Sequence, residues 1–179
     1  IHRGTGADLG YTKIGNKNLI MPGVMIAHDC ILGNNNILVD NSALAGHVRL
    51  GDYITLGGYT LVHQFCILGS YSFTGMGSII TMDVPAFTRV AGNPIKQAGL
   101  NSIGLERKSF TKEQISNLKK AWSEIMSNTR LEVRFTNEVN ATPRPKIEKP
   151  IAIQRFFDEA CSIFQPQIMP PKKATIMPP

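Results

Sequence analysis

The chain has 179 residues, of which 42% are hydrophobic and 18% charged, and its formal net charge is +6. This composition is typical of a globular protein, and the sequence contains neither an apolar run long enough for a membrane span nor a signal-peptide pattern. Residues 1–100 carry 6 Lys and Arg against 5 Asp and Glu, whereas residues 101–179 carry 13 against 8. The basic charges are spread along the second half without a regular alternation with aromatic residues, which argues against a nucleic-acid groove.

A six-residue repeat dominates the first half of the chain, after residues 4–13, which break its register and are predicted to form a loop. The repeated aliphatic positions are Ile14, Ile20, Ile26, Leu32, Leu38, Leu44, Leu50, Leu56, Val62, Leu68 and Ile80, with Thr74 as the exception. A period of six fits neither an amphipathic helix nor an alternating strand. It predicts short strands joined by tight corners.

A second period of 18 residues predicts that these strands coil into a parallel β-helix. An aliphatic residue, a glycine and a polar residue recur together at 14–16, 32–34, 50–52 and 68–70. Three hexads therefore make one turn of a triangular prism, and about four turns rise by ~4.8 Å each. Gly and Asn are expected at corners with positive φ. Cys30 and Cys66 share an inward-facing position and are expected to be reduced core residues, too far apart for a disulfide.

The same period places polar groups in one column. His28, the Gly46–His47 pair and the His63–Gln64 pair fall at nearly the same corner of three successive coils. Adjacent members are then predicted to lie about 5 Å apart along the axis. The null hypothesis is three exposed corner histidines, but their shared corner favours a site.

Two chemistries suit this column. His28 could act as a general base, with Asp29 orienting its ring and the Gly46 backbone N–H stabilising an oxyanion. Alternatively, the three histidines could hold zinc with an open fourth position, as in a γ-carbonic-anhydrase-like zinc hydratase. A column that spreads over ~10 Å converges poorly, so zinc would need a neighbouring subunit.

The second half of the chain is predicted to be helical. The β-helix ends near residues 83–85, and the predicted domains are a β-helix at 1–94, a helical domain at 95–165 and a disordered tail at 166–179. One helix is expected from 111 to 127, capped by Ser109 or Thr111, and a second over 151–164. Residues 141–150 are rich in Pro and Lys and read as a loop.

Several separate motifs together resemble one enzyme family. They are Ile-His-Arg-Gly at 1–4, Ile-Ala-His-Asp-Cys at 26–30, Leu-Ala-Gly-His at 44–47, Val-His-Gln-Phe at 62–65, Asp-Val-Pro at 83–85 and Gly-Leu-Glu-Arg-Lys at 104–108. In order and spacing they are similar to the acyl-carrier-protein–UDP-N-acetylglucosamine O-acyltransferases, which open lipid A biosynthesis. The similarity runs from residue 1 to about residue 130.

The resemblance implies a mainly β chain, with a left-handed parallel β-helix followed by a C-terminal α-helical domain. It also implies a cytoplasmic homotrimer with active sites between subunits, which moves a 3-hydroxyacyl chain from acyl carrier protein to the 3-hydroxyl of UDP-N-acetylglucosamine without a metal or an organic cofactor. An acidic acyl carrier protein would be steered to the basic half. By carry-over the catalytic residues are His28, Asp29 and Gly46. The implied substrate-binding residues are His47, His63, Gln64, Met76, Asn101, Arg107 and Lys108.

The chain also departs from the family pattern. Met25 stands where a second histidine is common, Ile103 replaces an acidic residue, and Lys108 replaces an arginine and loses its bidentate fork. Met76 in place of glycine is expected to shorten the accepted acyl chain. Family members carry further coils before the equivalent of Ile1, so the chain is expected to be truncated at its N-terminus. An inactive remnant is therefore a further alternative to the acyltransferase.

Overall fold

The computed structural model describes residues 1–6 and 10–128, with side chains as far as residue 124. These residues all belong to the first of two compact units, Ile1–Asn137. The short strands are β1 Lys13–Ile14, β2 Leu19–Ile20, β3 Met25–Ile26, β4 Ile31–Leu32, β5 Ile37–Leu38, β6 Ala43–Leu44, β7 Arg49–Leu50, β8 Thr55–Leu56, β9 Leu61–Val62, β10 Ile67–Leu68, β11 Phe73–Thr74 and β12 Ile79–Ile80. They are followed by β13 Thr88–Ala91, β14 Lys96–Leu100, α1 Ser102–Arg107 and α2 Lys112–Asn128.

The strands stack into three sheets that form the sides of a prism. The first sheet has the order β1-β4-β7-β10, the second β2-β5-β8-β11-β13-β14, and the third β3-β6-β9-β12. Pairing from β1 to β12 is parallel with an offset of 18 residues, as between Ile14, Leu32 and Leu50. The predicted 18-residue coil is confirmed.

Each turn of the coil has three corners, and most of the predicted site residues lie at two of them. Residues 27–30, 45–48 and 63–66 connect the third sheet to the first, and we call this the histidine corner. Residues 51–54 and 69–72 connect the first sheet to the second, and we call this the aromatic corner. The third corner includes residues 57–60 and 75–78. Side chains that share a corner are stacked in a column, whereas those on different corners lie on different edges of the prism.

Aliphatic side chains fill the prism, as the repeat predicted. Leu38, Leu44, Leu56 and Leu68 are fully buried, and each such side chain contributes about 1.5–3 kcal/mol relative to exposure. The inward-facing cysteines, Cys30 and Cys66, are buried and form no disulfide, as expected. The exception to the repeat, Thr74, is also buried. Its Oγ1 lies 2.9 Å from that of Thr60, so the hydroxyl has a partner inside the coil.

One asparagine is fully buried in this core, and its amide oxygen, amide nitrogen and backbone N–H all form hydrogen bonds. Asn36 Oδ1 accepts from the Ile54 N–H at 2.8 Å, and its Nδ2 donates to the Gly51 carbonyl at 3.0 Å. Its own N–H donates to Asn18 Oδ1 at 2.7 Å. These bonds tie three successive coils together and remove the cost of burying the amide.

The glycines that follow the aliphatic residues do not adopt the positive φ that was predicted for glycines at corners. The non-glycine residues at positive φ include Asn35, His47 and Tyr53, whereas Gly33 and Gly51 lie outside the left-handed region. A Cβ at Gly51 would instead collide with Ser70, and one at Gly33 with the Asp52 side chain. Close approach of the next coil, not positive φ, therefore requires glycine there.

A hairpin and two helices follow the coil. Strand β14 pairs antiparallel with β13 and continues the second sheet beyond residue 94, while the predicted limits of the helical domain stay a prediction. The predicted helix at 111–127 is α2, and Thr111 is its cap. Thr111 Oγ1 accepts from the Gln114 N–H at 3.1 Å while Gln114 Oε1 accepts from the Thr111 N–H at 2.8 Å, which forms a capping box.

The short helix α1 was not predicted from the sequence. Asn101 caps it, because its Oδ1 accepts from the Gly104 N–H at 3.2 Å. The helix predicted at 151–164, the loop at 141–150, Cys161 and the tail at 166–179 lie outside the described residues. None of the described helices is long and apolar enough to cross a membrane.

Candidate active site

His28 and Asp29 form a pair at the histidine corner. His28 Nδ1 lies 2.9 Å from Asp29 Oδ2. The Asp29 side chain has no exposed surface, whereas 40% of the His28 side chain is exposed. Asp29 has the left-handed backbone conformation of a corner residue, with a φ of 58°. The imidazole is therefore accessible to a substrate, and its partner is sheltered from water.

The Asp29 carboxylate accepts further hydrogen bonds from the N-terminal segment. The Thr5 hydroxyl donates to Oδ2 at 2.7 Å, and the Thr5 N–H lies 3.1 Å from both carboxylate oxygens. The Thr5 hydroxyl, helped by His28, outweighs burial and lowers the pKa of Asp29 to about 2. Asp29 is therefore ionised at neutral pH.

The ionised carboxylate fixes the tautomer of His28. Because a carboxylate only accepts hydrogen bonds, the neutral His28 ring must carry its proton on Nδ1. Its Nε2 then carries a lone pair. This is the arrangement that a general base needs.

Gly46, on the next coil, provides room for the His28 ring. A Cβ at residue 46 would lie 2.6 Å from Cε1 and 2.8 Å from Nε2 of His28, so any larger residue would displace the ring. Within the part of the chain that the structure describes, the Gly46 N–H has no hydrogen-bond acceptor. An N–H without an acceptor, on a residue that packs against the His28 ring, is suited to stabilise an oxyanion formed near the base.

His47 and Phe65 continue the column below His28. The ring centroids of His28 and His47 are 5.1 Å apart, in agreement with the predicted spacing, and those of His47 and Phe65 are 4.6 Å apart with nearly parallel planes. Phe65, not His63, is thus the third ring of the column. His63 is exposed, and its Nδ1 lies 3.1 Å from the carbonyl oxygen of exposed Gln64.

The geometry does not favour the zinc alternative. Ligand atoms of His28, Asp29 and His47 lie within 4.8 Å of one another. However, His28 Nδ1 and Asp29 Oδ2 are already hydrogen-bonded to each other, and the Thr5 hydroxyl also donates to Oδ2. His63 does not belong to this group, so the proposed three-histidine set does not converge within the described residues.

The remaining predicted site residues lie on other edges of the prism. Met76 is 81% exposed at the third corner. Asn101 Nδ2 donates to the Tyr71 carbonyl at 2.9 Å, and Lys108 Nζ lies 5.1 Å from the centroid of the Tyr53 ring. These contacts hold Asn101 and Lys108 at the aromatic corner. Arg107 is exposed at the end of α1. A single chain therefore does not bring these residues to His28.

A stack of aromatic rings attaches the segment between the helices to the coil. The rings of Tyr53, Tyr71 and Phe87 follow one another at centroid distances of 4.9 Å and 5.5 Å, and Phe110 packs edge-on against Tyr71 at 5.1 Å. Burial raises the pKa of Tyr71 to about 12. Tyr71 is therefore a neutral packing residue, and the stack fixes the position of Lys108.

Comparisons with protein families and with curated relatives found clear similarities. Residues 83–158 match the family described as UDP N-acetylglucosamine O-acyltransferase, domain 2, and residues 11–46 match the bacterial transferase hexapeptide repeat. The acyl-(acyl-carrier-protein)–UDP-N-acetylglucosamine O-acyltransferase of Aliivibrio salmonicida is 40% identical over 88% of this chain and 59% of its own length. The enzyme of the same name from Ectopseudomonas mendocina is 52% identical over 68% of this chain and 47% of its own length. The chain belongs to the UDP-N-acetylglucosamine O-acyltransferase family.

Solved structures of this acyltransferase family have the same fold. The UDP-N-acetylglucosamine acyltransferase from Campylobacter jejuni matches with a TM-score of 0.69 and 38% identity, over 72% of this chain and 50% of that one. The enzyme from Bacteroides fragilis matches with a TM-score of 0.69 and 32% identity, over 87% and 59%. The coil is the left-handed parallel β-helix, as the resemblance implied. The chain spans about half the length of the curated relatives that it matches.

Two departures from the acyltransferase pattern are exposed. Met25 is 44% exposed on the outer face of the third sheet, and Ile103 is 60% exposed on α1. Neither side chain takes part in the His28–Asp29 pair. Sequence reasoning missed Thr5, Thr12 and Phe65 as neighbours of the site. Phe65 lies 18 residues after His47, so the 18-residue period predicts its place in the column. Thr5 and Thr12 precede the regular repeat, so the period cannot predict their positions.

Proposed function

We propose that the chain transfers a 3-hydroxyacyl group from acyl carrier protein to the 3-hydroxyl of UDP-N-acetylglucosamine, the first step of lipid A biosynthesis. The observation that carries the proposal is the His28–Asp29 pair at 2.9 Å, against whose ring packs Gly46, a residue whose N–H has no acceptor among the described residues. A base and an oxyanion donor on adjacent coils are what acyl transfer to a hydroxyl needs. The names of the relatives specify the two substrates.

In the proposed reaction His28 Nε2 removes the proton from the sugar hydroxyl. The hydroxyl oxygen attacks the thioester carbonyl, and the Gly46 N–H donates to the oxyanion that forms. The C–S bond then breaks as the carbonyl reforms, and the leaving thiolate takes the proton from His28. The products are the O-acyl sugar nucleotide and the free thiol of the carrier, and Asp29 stabilises the His28 cation between the two steps.

The substrate-binding part of the proposal requires more than one chain. His47, His63 and Gln64 lie at the histidine corner, whereas Asn101 and Lys108 lie at the aromatic corner. If all of them bind one substrate, the corners of neighbouring subunits must meet. We therefore include a homotrimer with sites between subunits in the proposal.

An apolar surface beside the histidine corner supports such an assembly. Met25 and Leu61 point outward from the third sheet and are 44% and 47% exposed, and Phe65 is 47% exposed. Burial of side chains of this size stabilises association by about 25 cal/mol per Å² of apolar area. A second copy of the chain covering this face would also shelter His28 from water.

Met76 and the basic helices specify the acyl donor in the proposal. Met76 points away from the coil, and a methylene without room costs about 1–3 kcal/mol in a binding pocket, so methionine there would shorten the accepted chain. A preference for acyl groups of about fourteen carbons or more would count against this assignment. Exposed Lys112, Lys119 and Lys120 on α2 are suited to attract an acidic carrier protein.

The test is to incubate the purified chain with UDP-N-acetylglucosamine and a series of 3-hydroxyacyl carrier proteins, and to detect the acylated nucleotide by mass spectrometry. Analytical ultracentrifugation of the same sample measures its oligomeric state. A mixture of separately inactive His28→Ala and Arg107→Ala chains should regain activity only if each site combines residues of two subunits. No product from any donor would refute the activity, and a monomer that is active would refute the shared site.

A further inference from the structure

We propose that Thr5 is a positioning residue for the His28 base, acting through the Asp29 carboxylate. The expected effect of Thr5 on kcat rests on the proposed function, whereas its expected effect on the His28 tautomer does not. Thr5 supplies three of the four hydrogen-bonding contacts of the carboxylate, and His28 supplies the fourth. It is the residue that fixes the orientation of Asp29.

The distances indicate how tightly the carboxylate is held. The Thr5 hydroxyl lies 2.7 Å from Oδ2 and His28 Nδ1 lies 2.9 Å from the same oxygen, and each distance is typical of a well-formed hydrogen bond of its kind. Both donors share one oxygen, so the carboxylate cannot rotate away from the imidazole without also breaking its hydrogen bond to the Thr5 hydroxyl. A hydrogen bond from a hydroxyl to an ionised carboxylate is among the strong ones in proteins.

Thr5 reaches Asp29 because the N-terminal segment forms part of an additional coil before the first regular one. The His2 N–H donates to the Ile26 carbonyl at 2.8 Å, so the segment lies one coil before the strand β3. Thr5 is thereby placed above Asp29, at 24 residues' distance in sequence and not 18. Among the described residues, Thr5 contributes a hydroxyl and a backbone N–H to the carboxylate. Within the same residues, the titratable groups that act on the carboxylate are His28 and His47.

A second threonine provides a matched control. Thr12 Oγ1 accepts from the Asp29 backbone N–H at 3.0 Å, and so contacts the same residue without touching its carboxylate. Loss of the Thr12 hydroxyl should loosen the loop but leave the carboxylate and the His28 tautomer unchanged. Loss of the Thr5 hydroxyl should change the tautomer.

The experiment is ¹⁵N NMR of the His28 ring in the full chain, with Thr5→Val, Thr5→Ser and Thr12→Val. We expect wild type, Thr5→Ser and Thr12→Val to hold the proton on Nδ1, and Thr5→Val to give a mixture of tautomers. In an acyl-transfer assay Thr5→Val should lower kcat about tenfold with little change in KM, and Thr5→Ser should restore it. A Thr5→Val variant that keeps the wild-type tautomer and the wild-type kcat would overturn the proposal. So would a wild-type His28 ring with its proton on Nε2, and that measurement does not require any variant to fold. If acyl transfer is undetectable in wild type, the proposed function fails while the NMR result still tests the role of Thr5.

Discussion

The contact between Gly46 and His28 leads to a quantitative prediction for Gly46→Ala. The added Cβ would lie 2.6 Å from His28 Cε1, whereas carbon atoms at their optimal separation are about 3.5–4.0 Å apart. The ring therefore has to move by about 1 Å, and it cannot move far without breaking its bond to Asp29. A displacement of about 1 Å at a reacting group can reduce the rate by ~10²-fold. We expect kcat for acyl transfer to fall about 10²-fold.

The stability of the fold should change little in this variant. Gly46 lies outside the left-handed region, so alanine is compatible with its backbone, and the clash is with a side chain that is partly exposed. Gly58→Ala is the matched control, because a Cβ there would meet only ordinary contacts with Asp40 and Val39 at 3.4 Å or more. The assay is steady-state kinetics of both variants together with their melting temperatures. A kcat of Gly46→Ala within about twofold of wild type would refute the reasoning.

Three further predictions test the carboxylate and the core. Asp29→Asn should lower kcat by about 10²–10⁴-fold, because the amide no longer selects the proton on His28 Nδ1; unchanged kinetics would contradict this. The pKa of Asp29 is lowered from 3.8 to about 2 in the fold, so its stabilising contribution is present above pH 4 and lost as the pH falls from about 4 to about 2. The difference in melting temperature between wild type and Asp29→Asn should therefore shrink in that range, and a constant difference would argue against it. Asn36→Ala should destabilise the coil by about 2–4 kcal/mol in urea unfolding, because it leaves the buried Ile54 N–H and the partly buried Gly51 carbonyl without the side chain that they bond. Ser42→Ala, whose buried hydroxyl has no hydrogen-bond partner within the described residues, should cost less than about 1 kcal/mol, and equal losses for the two variants would disprove this account of the core.

The coil could be predicted from the sequence because every turn has the same length. Once the positions of Ile14 and Leu32 are known, the period assigns the sheet and the face of each residue as far as Ile80. The same arithmetic predicted the 5 Å spacing between His28 and His47. It would also have found Phe65, whose ring takes the place that was assigned to His63.

Features that depend on irregular segments could not be predicted in this way. The loop before β1 changes the offset from 18 to 24, so Thr5 could not be matched to Asp29. The six-residue helix α1 contains Gly104 and gives almost no helical periodicity, and its cap Asn101 was the only signal. The close approach at Gly33 comes from the Asp52 side chain and the Gly51 backbone of the following coil. A prediction based on φ alone does not include such contacts.

The roles of the distant residues also need information beyond one chain. Met76, Arg107 and Lys108 stay predictions, since they lie on other edges of the prism from His28. Their assignment depends on the family and on the proposed assembly. The His28–Asp29–Gly46 geometry, in contrast, lies within a single chain and can be tested directly.

The most direct test of the central claim is kcat/KM for acyl transfer from a 3-hydroxyacyl carrier protein to UDP-N-acetylglucosamine by wild type and by His28→Ala. If His28 is the general base, the alanine variant should lose at least about 10²-fold and keep its melting temperature, because 40% of the side chain is exposed. A His28→Ala variant that retains wild-type kcat/KM would contradict the claim.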